Sequence, residues 1–503
     1  MQLRRWRGPP FVTLVAGGWS FHALTSEGRA VGWGQLNGEE WSPARAGLRN
    51  AGVVLDEPNE LAVAAEMDPL DEIEAGRSHV VARSPHRVYE WRSWGRIWRI
   101  RDNAWCGRVK TVAAGWTFSA AVDSSDRMFI WFEQPPAHLL RLAREAGERA
   151  SSQNDGPRAI LADLEVETLM LPRLPPTADG RERVVDKLAC GDHFVFALTG
   201  DAQVFAIDVS PVLPARARPG LFNAGSLDPD DGPSRSRESL ARLEAAFASG
   251  DRTWHLRSKF CDMERVRELT EYQQGHVGAP PPSTRINHIS AHFKTLAVYS
   301  VPSPGEDVDS SGSVVLLGDE SSETPRVMAD LQGRGVIKVA QGDYHWAALT
   351  QEGALFTWGA FSKGALGLGH PSLRDTPLSD PEADAGGVSQ RRPAALARPP
   401  AQIETPTRVR FRREQDEEEF VYDVCAGGWH TGVLAINTRE RLEDDGAESV
   451  ELSPGEQAEP RPSEDESDAD GSHDLPGAFH GQRGSAFPFR LGFPARGAFR
   501  GVR

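Results

Sequence analysis

The amino-acid sequence predicts an all-β fold, a seven-bladed β-propeller, on three observations. One residue frame recurs seven times within residues 1–437 of the 503-residue chain. Glycine (49) and proline (36) are abundant, which indicates many turns rather than long helices. Tryptophan (14) outnumbers tyrosine (5), and because Trp is costly to expose, a fold that buries Trp repeatedly is favoured.

The repeat is clearest in the two segments that begin at Gly17 and Gly342. In both, a Leu follows the glycine by seven positions, a second glycine by eleven and a Trp by sixteen. Weaker copies keep this frame, and one of them has Ala291 in place of the glycine. We therefore predict seven structural repeat anchors: Gly17, Gly76, Gly115, Gly191, Ala291, Gly342 and Gly427.

Each repeat is predicted to form a small antiparallel sheet. In the sixth copy the apolar run Val336–Val339 is a first strand, and the anchor glycine permits a tight turn where a Cβ would clash. Trp346–Leu349 is then a second, fully buried strand, and Leu355–Gly359 a third strand after a hairpin turn. Small sheets repeated at this scale are typical of propeller blades, with Trp side chains filling the gaps between blades.

Three polar insertions interrupt the predicted propeller of residues 1–437, namely 134–183, 209–285 and 370–420. Apolar spacing predicts a helix over Pro136–Ala146 and another over Ser239–Phe247. Residues 438–503 have no periodicity and are predicted to be a disordered tail, acidic at first and then rich in Arg and Phe. Ser463 and Ser467 of this tail precede acidic residues and are candidate phosphorylation sites; a merely solvated tail is the alternative.

Charge and composition exclude several classes of protein. The net charge of −16 repels phosphate backbones, so nucleic acid is not an expected partner. The four cysteines have no zinc-finger or disulfide spacing, which favours a reducing compartment, cytoplasmic or also nuclear. No apolar run approaches the length of a membrane span, so no membrane association is expected.

The histidines and cysteines have no enzymatic or metal-binding pattern. His79, His345 and His430 share the third position after their anchors, so we expect them on different blades, each in a turn hydrogen bond inside its own blade. Cys190 and Cys425 lie in apolar strands and are predicted to be buried. We therefore predict no enzyme, with no catalytic residue, no metal site and no cofactor.

Two groups of aromatic residues are candidates for binding protein partners. The first mixes Trp and Arg, the residue types enriched at binding hot spots; it comprises Trp91, Trp94, Arg96, Trp98 and Arg99. A structural loop and stacking on nucleic acid are the alternatives for this group. The second group follows the anchors, and its repetition favours packing over a ligand cage; it comprises Trp19, Trp116 and Trp429.

The repeat frame resembles that of the regulator-of-chromosome-condensation family of seven-bladed propellers. The segment Trp358–Gly369 is similar to that family's W-G-x-N-x-x-G-Q-L-G-x-G motif. Leu14–Gly28, Ile289–Phe293 and Ala426–Thr431 resemble fungal F-box propeller proteins of the SCF-associated-factor type. The resemblance covers about residues 11–437.

The resemblance implies a non-enzymatic, substrate-recruiting component of an SCF-type ubiquitin ligase whose propeller holds protein clients. The family's F-box and first propeller strand have no counterpart within the sequence, so we expect the first half of blade one to be missing and the closing blade to be incomplete. Binding of the ligase adaptor is expected only if an F-box precedes Met1. The alternatives are a guanine-nucleotide exchange factor or regulator of a small GTPase, and a plain scaffold or truncated product.

Overall fold

A computed structural model describes the chain over most of the predicted propeller. The described residues are 8–36, 55–60, 67–93, 96–101, 109–132, 160–210, 232–302, 313–360, 364–368, 402–411 and 419–437. Contacts divide the chain into one compact unit, Met1–Ala447, and a second, Glu448–Arg503, which lies outside the described residues.

Twenty-seven described strands form seven sheets, numbered here along the chain. Sheets 1 to 3 contain the first thirteen strands, and β12 and β13 complete sheets 2 and 3. Sheet 1 consists of β1 (Phe11–Ala16), β2 (Ser20–Thr25), β3 (Ala30–Gly34) and β4 (Leu55–Glu60). Sheet 2 consists of β5 (Glu72–Ala75), β6 (Val80–Arg83), β7 (Val88–Ser93), β8 (Arg96–Arg101) and β12 (Ile160–Glu165). Sheet 3 consists of β9 (Val109–Ala114), β10 (Phe118–Asp123), β11 (Met128–Phe132) and β13 (Leu169–Met170).

Sheets 4 to 7 follow one another without exchange of strands. Sheet 4 consists of β14 (Val185–Cys190), β15 (Phe194–Thr199), β16 (Val204–Asp208) and β17 (His255–Leu256). Sheet 5 consists of β18 (His288–His292), β19 (Thr295–Tyr299), β20 (Val315–Asp319) and β21 (Arg326–Val327). Sheet 6 consists of β22 (Val336–Gln341), β23 (His345–Thr350), β24 (Leu355–Ala360) and β25 (Gln402–Arg408). Sheet 7 consists of β26 (Glu419–Gly427) and β27 (His430–Asn437).

Few helices accompany the strands in the described residues. A long helix lies in sequence between β16 and β17 of sheet 4, three short helices lie between β17 and β18, and a 3-10 turn precedes sheet 6. They are α1 (Gly232–Ser249), α2 (Ser258–Cys261), α3 (Met263–Arg267), α4 (Thr270–Gln273) and the 3-10 helix Ala329–Leu331. The helix expected over Ser239–Phe247 is therefore present as part of α1, and the one expected over Pro136–Ala146 lies outside the described residues.

The seven sheets form a closed ring, since the first strand of each sheet packs against the first strands of its two neighbours and β26 packs against both β1 and β22. The core consists of seven apolar clusters, one between each pair of neighbouring sheets. Trp33 of sheet 1, for example, packs with Leu434 of sheet 7. The second strands contain small residues such as Ala347 and Ala348, which are fully buried because neighbouring sheets cover both faces of the strand.

The structure refines the predicted seven blades. Six sheets have four or five strands and are complete blades, whereas the seventh has two strands among the described residues. The expectation that blade one lacks its first half is wrong, because β1 to β4 form a four-stranded sheet. Among the described residues, the incomplete sheet is the closing one, β26 and β27. The predicted tail, with Ser463 and Ser467, lies outside the described residues.

Candidate functional site

The anchor residues lie where each first strand turns into its second, and the turns of neighbouring sheets touch. A Cβ added at Gly115 would lie 2.9 Å from the carbonyl oxygen of Gly191, and one added at Gly191 would lie 2.8 Å from that of Phe293. Only a residue without a side chain allows this approach. The fifth turn, where Ala291 replaces glycine, instead has a left-handed residue, Phe293, with a φ of 50°.

Backbone hydrogen bonds join these turns across sheets. The amide of Gly18 donates to the carbonyl of Arg77 (2.8 Å), and that of Trp116 to Gly191 (3.0 Å). The amide of Asp192 donates to Phe293 (2.6 Å). The amide of Asp343 likewise donates to Gly428 (3.0 Å). All seven turns therefore lie on one face of the ring, and the residues after each anchor project from that face.

Aromatic side chains and one arginine occupy this face, which we call the aromatic face; it comprises Trp19, Arg77, Trp116, Phe293, Tyr344 and Trp429. Six of the seven sheets each contribute one of these residues. Tyr344 and Trp429 are 53% and 54% exposed, and their ring centroids lie 4.6 Å apart. Because large apolar side chains are normally withdrawn from water, such an exposed cluster indicates a binding surface.

The remaining members of the aromatic face form a continuous stack. The Arg77 guanidinium lies 5.1 Å from the ring centroid of Trp19 and 5.0 Å from that of Trp116. The Trp116 ring in turn lies 4.4 Å from the ring of Phe293. These cation–π and aromatic contacts hold the side chains in fixed positions, so the surface is formed before any partner arrives.

Sequence reasoning found only part of this face. It singled out Trp19, Trp116 and Trp429 but favoured packing for them, and it passed over Arg77 and Tyr344. The signal was available in the repeat, because all of these residues stand one or two positions after an anchor glycine. Packing and exposure are combined here: Trp19 and Trp116 are partly buried through the stack, whereas Trp429 is more than half exposed.

The structure corrects the predicted partner-binding group in β7 and β8. Trp91 and Trp98 are 1% and 3% exposed and belong to the core between sheets, so they offer nothing to a partner. Arg99 forms an ion pair with Asp163 of β12, the strand that extends sheet 2. Arg96 lies in β8, paired with Ile160, and Trp94 lies outside the described residues.

The histidines also differ from expectation. The imidazole Nε2 of His79 lies 3.0 Å from Ser119 Oγ in sheet 3, and that of His345 lies 2.8 Å from Thr431 Oγ1 in sheet 7. The predicted turn hydrogen bond inside each blade is present in the backbone, from the Gly76 amide to the His79 carbonyl (2.9 Å) and from the Gly342 amide to the His345 carbonyl (2.8 Å). The two imidazoles differ from the prediction because they link neighbouring blades. His430 packs edge-on against the Phe21 ring of sheet 1, 4.6 Å between centroids.

Burial shifts the pKa values of the buried histidines and cysteines. Burial lowers the pKa of His345 and of His430 to about 4, and that of His22 to about 3. Cys190 and Cys425 are buried free thiols, as predicted, and burial raises the pKa of both. A thiol held in its protonated form is a poor nucleophile and a poor metal ligand.

Neither a metal-binding cluster nor a membrane-spanning helix occurs in the described residues. No group of three or more His, Cys, Asp or Glu in these ranges has the arrangement needed to hold a metal ion. No described helix has both the length and the apolar character required to cross a membrane.

Comparison with known proteins gives partial matches. No protein-family model matches the chain. The chain is 28% identical over 156 residues to F-box protein pof9 of Schizosaccharomyces pombe, a match that covers 30% of this chain and 28% of that protein. It is 39% identical over 103 residues to SCF-associated factor 1 of Saccharomyces cerevisiae, covering 20% of this chain and 14% of that protein. The matches thus span less than a third of either relative.

Solved propeller structures are similar over most of the chain. Human WBSCR16 covers 87% of this chain and 88% of its own, with a TM-score of 0.46 and 14% identity. Prp20p of Saccharomyces cerevisiae gives a TM-score of 0.43, 15% identity and coverage of 87% and 85%. The predicted resemblance to regulator-of-chromosome-condensation-type propellers, and to fungal SCF-associated F-box proteins, is confirmed.

Proposed function

We propose that the protein is a non-enzymatic interaction propeller that recruits client proteins through its aromatic face, as the substrate-binding component of an SCF-type ubiquitin ligase. The observation that carries the proposal is the aromatic face, to which five sheets contribute an aromatic side chain and a sixth Arg77, and in which Tyr344 and Trp429 are more than half exposed. Aromatic residues and arginine are the types that dominate binding energy at protein interfaces. The cluster is rigid, which lowers the entropy cost of association.

The ubiquitin-ligase part of the proposal is supported by similarity alone. Both fungal relatives have names that refer to the F-box or to SCF, and the aligned regions are short. Binding of a ligase adaptor would require an F-box and stays a prediction. The exchange-factor and scaffold alternatives stay open, and cytoplasmic or nuclear location stays a prediction.

The test is capture of clients by the full chain and by surface variants. We expect Trp429→Ala combined with Tyr344→Ala to reduce capture of specific clients at least tenfold, roughly the loss of one hot spot. Met170→Ala is the matched control, because Met170 is 53% exposed on the outer strand β13, away from the turns. All variants should keep the wild-type melting temperature, since the altered side chains are exposed.

Client turnover tests the ligase role separately. Proteins captured through the aromatic face should have longer half-lives in cells that lack this protein. Equal capture by wild type and the double variant would exclude the aromatic face as the recruiting surface. Unchanged half-lives with face-dependent capture would favour a plain scaffold, and accelerated nucleotide release from a small GTPase would favour the exchange-factor alternative.

A further inference from the structure

Around the aromatic face, the basic side chains are exposed, whereas the acidic side chains are partly buried. Arg77 and Lys294 are exposed, each against an aromatic ring: Arg77 between Trp19 and Trp116, and Lys294 with its Nζ 5.4 Å from the Phe293 centroid. Neither cation forms an ion pair with a carboxylate of the described residues. Both therefore present a positive charge to an incoming partner.

Three acidic residues lie beside the same turns: Asp343 and Asp192, which pair with histidines, and the partly buried Glu320, whose carboxylate interacts electrostatically with Lys294. Asp343 Oδ1 lies 3.0 Å from the Nε2 of His292, and Asp192 Oδ2 lies 3.4 Å from the Nε2 of His193. The side chains of both aspartates are largely buried. The two cations are therefore the most exposed of these charges, although the chain as a whole carries a net charge of −16.

At physiological salt, the charges nearest to the aromatic face determine which partner it attracts. The Debye length is then about 8 Å, so charges far from the aromatic face are screened while contacting groups are not. Arg77, Trp116, Phe293 and Lys294 form one row in which two aromatic rings separate two cations. Such a row complements an extended segment in which carboxylates flank an aromatic or apolar side chain.

We infer that the aromatic face selects acidic segments of client proteins, with an aromatic anchor between the carboxylates. This inference rests on the proposed function and adds the chemistry of the client. Arg77 and Lys294 are the selecting cations, Trp116 and Phe293 hold the anchor, and Tyr344 and Trp429 extend the contact along the client.

The experiment uses three labelled twelve-residue peptides that share a central Trp and carry four Glu, four Gln or four Lys. Binding to the full chain is measured by fluorescence anisotropy. We expect the Glu peptide to bind about tenfold more tightly than the Gln peptide, and the Lys peptide more weakly than both. The preference for Glu should shrink as salt is raised, since exposed ion pairs are screened.

Variants assign the preference to the two cations. Arg77→Met and Lys294→Met should each weaken Glu-peptide binding about three- to fivefold and weaken Gln-peptide binding by a smaller factor. Arg334→Met is the matched control, because Arg334 is also exposed over an aromatic ring, 5.6 Å from the Phe356 centroid, but stands at the opposite end of β22. Melting temperatures report whether each variant is folded.

The outcomes separate this inference from the proposed function. Equal binding of the Glu and Lys peptides, with face-dependent capture of clients intact, would overturn acid selection and leave the proposed function standing. Displacement of the Glu peptide by a twelve-nucleotide single strand, with the same dependence on Arg77 and Lys294, would assign the face to nucleic acid and overturn the inference. The inference would also be contradicted if none of the three peptides bound to the full chain while the double variant at Tyr344 and Trp429 still lost client capture.

Discussion

At the scale of single residues, the anchor glycines are where a small change has the largest predicted effect. A Cβ at Gly342 would overlap the imidazole of His345, which is itself held by Thr431. We therefore expect Gly342→Ala to lower the free energy of unfolding by about 1–3 kcal/mol, the usual cost of overpacking. Gly278→Ala is the control, because Gly278 is exposed and a Cβ there meets nothing within 4 Å. Equal chemical denaturation midpoints for the two variants would contradict the proposed role of the anchors.

The buried histidine at the same turn makes stability depend on pH. The pKa of His345 is about 4 in the folded protein and about 6.5 when unfolded, so the unfolded chain takes up a proton first as the pH falls. The contribution of His345 to stability is complete above pH 6.5 and is lost as the pH falls towards 4, by about 1.4 kcal/mol per pH unit.

His345→Gln tests this pH dependence, because Gln keeps a nitrogen donor for Thr431 but does not titrate. The variant should show a slope of unfolding free energy against pH that is smaller by about one proton between pH 4 and 6.5. Comparison with wild type is essential, because burial raises the pKa of Glu74 to about 7, which acts in the opposite direction.

At the scale of elements, sheet 2 shows how far sequence reasoning reaches. The strand containing Trp91 could be predicted, because it occupies the place of the third strand of a repeat. The burial of Trp98 could not, because it depends on a parallel pairing of β8 with β12, a strand that follows some sixty positions later and has no repeat signal. The mixture of Trp and Arg favoured a binding loop, because amino-acid composition contains no information about the pairing of β8 with β12.

The charged residues of sheet 2 are also misleading when only the sequence is considered. Glu90 and Arg92 are both buried and form an ion pair, and Trp131 Nε1 donates to Glu90 Oε2 at 2.8 Å. Burial alone would raise the pKa of Glu90, but Arg92, His79 and Trp131 together hold it below its usual range. A buried charge with several partners is tolerated in the core, so an arginine in a strand does not by itself indicate a surface.

At the scale of the whole molecule, Asp423 joins three sheets at the point where the ring closes. Its carboxylate accepts from the Leu14 amide at 2.7 Å and from Lys338 Nζ at 2.6 Å. We expect Asp423→Ala to lower the free energy of unfolding by about 2–4 kcal/mol, because the variant leaves the Leu14 N–H without its acceptor. Asp163→Ala, which removes an exposed partner of Arg99, should cost less than about 1 kcal/mol.

Hydrogen exchange distinguishes ring opening from general destabilisation in the Asp423→Ala variant. Amides of β1 and β26 should exchange faster together, while those of sheets 3 and 4 keep their protection. Uniform acceleration across all sheets would contradict a local role at the closure. A closure between the last and first repeats was expected from the family resemblance, whereas the contacts of Asp423 were not predictable, because they depend on how three sheets pack together.

The contact between Leu14 and Asp423 has a consequence for biosynthesis, because 409 positions of chain separate the two residues. At about 5–20 residues per second, a ribosome needs roughly 20 to 80 seconds to add the partner after the first strand has emerged. During that interval the apolar flank of sheet 1, including Trp33, has no sheet 7 to cover it. The ring therefore stays open while the protein is synthesised. We expect chaperones to protect the exposed flank of sheet 1 until sheet 7 has been made.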